Sequence, residues 1–281
     1  MEKAKPGLKG NSINEKENVK GFLEYIKTNG EPYTLSISNY TTKITSPSIN
    51  KSFLKTMRNN AFFAGYSKIK SDVKNKPVPD LGSSDVSYFE HNFSKDYFIS
   101  HAVNIDLKSA YSTALYNSGV ISDSTFLYLS KLKKLDRLAT VGMMASKKVL
   151  FHYDDKGKLK TFERVVNPLQ GFFYYCVREV QKIMNELREI AGSDYLFTWV
   201  DGIYIAKGSD KIEDMKMYLN EIKYPFTVDD LTDFQVHFKE RKINVSFLKG
   251  DSKKVFNIPA KQNGFTKDFI YYLTNLKPKN L

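Results

Sequence analysis

Two aspartates are the residues of this chain best suited to chemistry. Asp106 ends an apolar run, Val103-Asn104-Ile105, and precedes a helix-forming stretch, so its carboxylate belongs at a sheet edge. Asp201 and Gly202 stand between two apolar runs, the strongest short hairpin signal, which puts Asp201 at a hairpin tip. If those strands are neighbours in one sheet, both carboxylates converge at one end of it. Two carboxylates and an incoming triphosphate can hold a pair of Mg²⁺ ions, which take hard oxygen ligands. Such a pair activates an attacking 3′-hydroxyl and stabilises a leaving pyrophosphate. Each aspartate also has a plainer use, Asp201 as a turn residue and Asp106 as a helix cap.

Other chemistries have less support. His91, His101, His152 and His237 are scattered, none with a partner at metal spacing, which argues against a Zn site. There is no P-loop and no glycine-rich dinucleotide fingerprint. Cys176 is the single cysteine and lies among apolar residues in a helical pattern. It reads as a packing residue, leaving no intramolecular disulfide and no thiol nucleophile, in a reducing intracellular setting.

The elements that must position the aspartates follow from periodicity. Val103–Leu107 reads as a strand, Ser109–Tyr116 as a helix and Ser122–Leu150 as a longer basic helix. Val177, Val180, Met184, Leu187 and Ile190 fall at helical spacing, with Gly192 suited to the cap. Tyr195–Val200 and Ile203–Ala206 form the hairpin, a helix follows over Lys211–Ile222, and residues 234–238 and 243–247 alternate as strands. This order predicts an α+β fold, the split βαββαβ arrangement of an antiparallel sheet backed by helices. Upstream, residues 1–18 read as a polar tail, and 19–57 as a small subdomain with one helix and a strand near Tyr33–Thr45. Ser71–Ser87 reads as a loop.

Charge narrows the partners. Of 281 residues, 43 are Lys or Arg and 31 are Asp or Glu, a formal charge of +12 that favours a polyanion. Twenty Phe and 18 Tyr add rings that can stack on bases. No apolar run approaches the length of a membrane span, and the start lacks the apolar stretch of a secretory signal.

The wording around the aspartates resembles a known family. Asp106-Leu107-Lys108-Ser109-Ala110-Tyr111-Ser112 is similar to the DxxSLYPS motif of family B DNA polymerases, with Ala110 for Leu and Ser112 for Pro. Asp201-Gly202-Ile203-Tyr204-Ile205 resembles the end of the second metal motif, YxDTDSIxx, with Phe197 for its Tyr and Trp199 for its first Asp. Lys134-Leu-Asp-Arg-Leu-Ala-Thr-Val-Gly142-Met-Met-Ala145-Ser146 is similar to KxxxNSxYG as the protein-primed phage and plasmid branch writes it, with Leu138 for Asn and Val141 for Tyr. Arg58 to Gly65, with Phe62 for Tyr, resembles the YxGG/A segment. Lys254-Val255-Phe256 resembles KxY. The motifs occur in family order.

The resemblance implies a polymerase palm with Asp106 and Asp201 as catalytic metal ligands for two Mg²⁺ ions, or Mn²⁺. It implies nucleotide contacts from Tyr111, which excludes a 2′-hydroxyl, from Ser109, and from Lys134, with Lys131 and Arg137 on the same helix face. Arg58, Phe62, Gly65, Lys249, Lys253, Lys254 and Phe256 would contact primer-template DNA. Only 28 positions separate Asp106 from Lys134, so the fingers are short, and the 57 residues before Arg58 are too few for a 3′–5′ exonuclease domain. The expected layout is 1–57 tail and small subdomain, 58–110 palm entry and first metal motif, 111–150 fingers, 151–240 palm and 241–281 a small thumb. Such an enzyme would extend DNA primers from dNTPs in the cytoplasm of a bacterial host, encoded by a phage or plasmid, with exonuclease, processivity or priming proteins as separate partners and no membrane. The alternatives are a degenerate palm that only binds nucleic acid or a replication partner, and an unrelated RRM-like sheet that stacks single-stranded bases.

Overall fold

The computed structural model describes residues 15–38, 41–54, 61–80, 89–239 and 242–259. In chain order these form α1 (Glu15–Thr28), β1 (Tyr33–Ser38), β2 (Thr41–Thr45), β3 (Asn50–Leu54) and α2 (Ala61–Asp72). Next come β4 (Phe89–His91), β5 (Tyr97–Leu107), α3 (Ala110–Asn117), α4 (Asp123–Lys131) and α5 (Lys134–Gly142). Then follow β6 (Lys147–Tyr153), β7 (Leu159–Val166), α6 (Gln170–Ala191), β8 (Tyr195–Trp199) and β9 (Gly202–Ala206). The last elements are α7 (Lys211–Glu221), β10 (Phe226–Lys239), β11 (Lys242–Lys249) and β12 (Ser252–Pro259). The fold is α+β with antiparallel sheets, and the chain divides into two units, 1–71 with 131–173 and 72–130 with 174–281.

The first unit is built on a five-stranded sheet in the order β3-β2-β1-β6-β7. Phe22 and Ile26, one turn apart on α1, are buried with Tyr33, Ile44, Ile49 and Phe53. The single basic helix expected over Ser122–Leu150 is not formed. α4 stops at Lys131, and Lys133 is extended (φ −58°, ψ 148°) before α5 begins. Lys147–Tyr153 is β6, with Leu150 opposite Ser36 of β1. A free strand edge won over local helix propensity, since Val149, Leu150 and Phe151 suit a half-buried pleat. The strands of the N-terminal subdomain and the last residues of the expected fingers, Lys147–Leu150, are therefore in one sheet. Residues 1–14 of the expected tail lie outside the described residues, and Glu15–Asn18 already belong to α1.

The second unit is built on a seven-stranded sheet in the order β12-β11-β10-β5-β9-β8-β4. Its middle, β10-β5-β9-β8, has the split β-α-β arrangement expected from the element order: β9 separates β5 from β8, and β5 separates β9 from β10. Cross-strand partners share a face, so Asp106, Gly202, Trp199 and Thr227 form one row, and Asn104, Tyr204 and Asp229 the row behind it. An aromatic core of Phe197, Tyr204, Phe234 and Phe247 underlies this unit, with Trp199 and Phe256 packed on it. Residues 242–259, expected in a separate thumb, are instead β11 and β12 of this sheet, and 260–281 lie outside the described residues. The expected loop after Ser71 holds for the described residues 73–80, which form neither helix nor strand.

Candidate functional site

The two aspartates meet at one end of the second unit's sheet. Asp106 lies opposite Gly202 in the β5–β9 ladder, and the Leu107 N–H donates to the Asp201 carbonyl oxygen at 2.9 Å. The hairpin differs by one residue from the expected Asp201-Gly202 turn. Trp199 pairs with Gly202, so the two-residue loop is Val200-Asp201, and Val200 takes φ 55°. A β-branched residue at positive φ is strained. Gly202 is released from the turn for a different task. A Cβ there would stand 3.2 Å from Asn104 Oδ1 and 3.3 Å from Asp106 Oδ1, so any larger residue would press on two side-chain oxygens.

Asn104 and Asp229 are the residues that reasoning from sequence missed. Asn104 is buried, and its Oδ1 has no hydrogen-bond partner. A buried oxygen left unpaired costs about 1–3 kcal/mol. Its signal was available: two residues before Asp106 in a strand means the same face. Asp229, opposite Asn104 on β10, had no such signal, because its register comes only from pairing. Its carboxylate accepts a 2.6 Å hydrogen bond from Lys249 Nζ, which gives that lysine a partner within the sheet. Tyr204 shows how the charges gather: burial, then Asp106, Asp201 and Asp229, push its hydroxyl well above the usual phenol range.

Residues near Asp106 are held by the start of α3. Ser109 adopts a left-handed conformation (φ 55°, ψ 32°) and makes no side-chain cap. Its carbonyl accepts from Thr113 N at 3.0 Å and Ser112 Oγ at 2.9 Å. Tyr111 follows on the first turn and is half-buried. Tyr224 donates its hydroxyl to the Ala110 carbonyl at 2.7 Å, and Lys108 N–H donates to the Pro225 carbonyl at 2.7 Å. These bonds anchor the strand-to-helix turn that follows Asp106.

The basic candidates are distributed differently from expectation. Lys134 and Arg137 share α5, but Lys131 ends α4, so the three do not share one helix face. Lys134 is exposed, and Arg137 donates to the Leu132 carbonyl at 3.2 Å. All three belong to the first unit, whereas Asp106 and Asp201 belong to the second. Lys253 and Lys254 are exposed on β12, while Phe256 packs against Trp199 with ring centroids 5.3 Å apart. Phe62 and Gly65 are buried on α2, the Phe62 ring 4.0 Å from Phe63, so neither presents a side chain at the surface. Arg58 lies outside the described residues.

The donor set suits a hard divalent cation. Two carboxylates, an unpaired buried carboxamide oxygen and a cradle that a Cβ would fill are all oxygen chemistry. Among the described residues no group of three or more His, Cys, Asp or Glu is placed to hold a metal, so this site would depend on the carboxamide or a substrate phosphate for further ligands. Cys176 is wholly buried, and burial pushes its thiol up, which excludes a resting thiolate there. No described helix is long and apolar enough to cross a membrane. Compared with known proteins, the chain matches no family model and no curated sequence.

Proposed function

We propose that this chain is a template-directed DNA polymerase of the family B type, joining the nucleotidyl group of a dNTP to a primer 3′-hydroxyl. The observation that carries the reading is the meeting of Asp106 and Asp201 at one end of a split βαββαβ sheet, within the two motifs that resemble that family's metal motifs. Asp106 and Asp201 would hold two Mg²⁺ ions. Bound there, the ions supply activation of the 3′-hydroxyl and neutralisation of the pyrophosphate. The chain's own work is to orient. The anchored turn at Ser109 presents Tyr111 beside the sugar of the incoming nucleotide, and exposed Lys253 and Lys254 meet the phosphates of primer-template DNA.

One observation favours a second reading, a palm that binds DNA without chemistry. Trp199 occupies the first acidic position of the second metal motif and is packed on Phe256. The RRM-like reading would rest on Phe98 and Tyr97, the exposed rings of β5, since Phe197, Tyr204, Phe234 and Phe247 are buried. Primer extension with dNTPs and Mg²⁺ or Mn²⁺ separates the first two. The polymerase reading expects extension by the unaltered chain and a fall on the order of 10³-fold or more in both Asp106→Ala and Asp201→Ala, from several kcal/mol of lost charge stabilisation. No extension with DNA binding intact in all three proteins would favour the binding palm.

A further inference from the structure

We propose that the carboxamide oxygen of Asn104 is a third protein ligand for a divalent cation held at Asp106 and Asp201. The inference rests on the metal-dependent reading above for the site's purpose, and on the geometry of β5 and β9 for the ligand itself. Asn104 is only 8% exposed, and its Oδ1 is buried with no hydrogen-bond partner. Buried polar atoms in folded proteins are nearly always paired, so an orphaned acceptor needs an electropositive occupant beside it. That atom is aimed into the cradle at Gly202. Asn104 Oδ1 and Asp106 Oδ1 both lie within 3.3 Å of the point where a Cβ would stand. Two oxygens converging on a space kept clear by a glycine form a partial coordination shell for a hard cation.

The neighbours leave this role to Asn104. Asp229, its cross-strand partner on β10, is neutralised by Lys249 at 2.6 Å. Tyr204, its partner on β9, is buried and keeps its proton, so the phenol offers no anionic oxygen. Trp199, across Gly202 from Asp106, has no metal ligand to give. A neutral carboxamide adds a ligand without adding a third negative charge to a site that must also accept a triphosphate.

The decisive measurement is Mn²⁺ binding by electron paramagnetic resonance, without DNA or nucleotide, beside the melting temperature of the metal-free protein. Asn104→Leu is expected to weaken Mn²⁺ binding about tenfold, the scale of losses seen when a supporting polar group is removed from a metal site. The same variant is expected to melt no lower than the unaltered chain without metal, because it removes an unpaired acceptor. Asn104→Asp, which retains an oxygen and adds charge, is expected to bind Mn²⁺ more tightly, and it decides the matter if Asn104→Leu does not fold. If Asn104→Leu binds Mn²⁺ unchanged, or Asn104→Asp binds it no better, the inference is overturned. A metal-free Asn104→Leu that melts several degrees lower also overturns it, since the carboxamide would then be a structural donor. Asp106→Ala and Asp201→Ala separate the two failures. Loss of Mn²⁺ binding in both, with no effect at Asn104, sinks only this ligand assignment. Undiminished binding in all variants sinks the metal site and the proposed function with it.

Discussion

Leu107 and Asp201 are joined by a single main-chain hydrogen bond, Leu107 N–H to the Asp201 carbonyl at 2.9 Å. It closes the end of the β5–β9 ladder just past the Asp106–Gly202 pair. The bond matters because Asp201 sits in a two-residue loop, where a side chain would otherwise be free to turn. Tying its carbonyl to the residue after Asp106 fixes the loop backbone at Asp201 against the end of β5.

Gly202 provides a test of that close approach. Its φ is not positive, so alanine meets no backbone penalty, but the new Cβ would stand 3.2 and 3.3 Å from two oxygens. Gly202→Ala is expected to change stability by about 1 kcal/mol or less and to lower primer extension roughly 10–100-fold. Thermal melts beside extension assays check the pair. A variant with unaltered extension would show that the cradle has no part in the reaction.

Val200 should trade stability for position. Its left-handed backbone at φ 55° costs a residue other than glycine roughly 1–2 kcal/mol, while glycine costs about 0.5–1 kcal/mol through the unfolded chain. Val200→Gly is therefore expected to stabilise the protein by about 0.5–1 kcal/mol, readable by calorimetry. If the strained tip holds Asp201 in place, extension falls in the same variant.

Restoring acid at Trp199 is not expected to restore a ligand. Trp199 and Asp106 lie in one cross-strand row with Gly202 between them, two strand spacings apart or about 9–10 Å. At that spacing a short carboxylate at 199 would reach the same ion only at full extension. Trp199→Asp is expected to lose about 2–3 kcal/mol by stripping the contact with Phe256, with no gain in extension. A rise in extension would instead mark the tryptophan as the defect of a degenerate centre.

Acid sensitivity has an address at His91. Burial holds its imidazole below the ordinary 6.5, and a hydrogen bond with the Phe93 backbone opposes that only partly. Below pH 6.5 the unfolded chain takes up a proton that the folded chain resists, so stability falls as pH drops through that point toward the lower folded value. His91→Phe is expected to shrink the drop in melting temperature between about pH 7.5 and 5.5. An equal drop in both proteins would place the acid-sensitive group elsewhere.

Much of the second unit was legible because its signals are local. Short apolar runs mark β5 and β9, period-2 alternation marks β10 and β11, period-3.6 spacing marks α6, and Gly192 at φ 55° ends that helix as its composition predicts. Lys147–Leu150, expected at the end of a helix, are strand because β1 offered them an edge. Alternation at Ile243, Val245 and Phe247 likewise marks a strand but names no partner, and β10 supplied one.

The chemistry divides along the same line. Residue type and chain order single out Asp106 and Asp201 as acidic residues that each follow an apolar run, in a chain with a formal charge of +12. Register was decided only in three dimensions, because a shift of one residue reverses every side chain in a strand. That register moved the turn to Val200-Asp201 and set Gly202 against Asp106. It also turned Asn104 Oδ1 toward the same space and coupled Asp229 to Lys249. Local patterns name the residues that can do chemistry, whereas the oxygens that could share one ion come from β5 and the β8–β9 loop, and only the pairing of β5 with β9 brings them together.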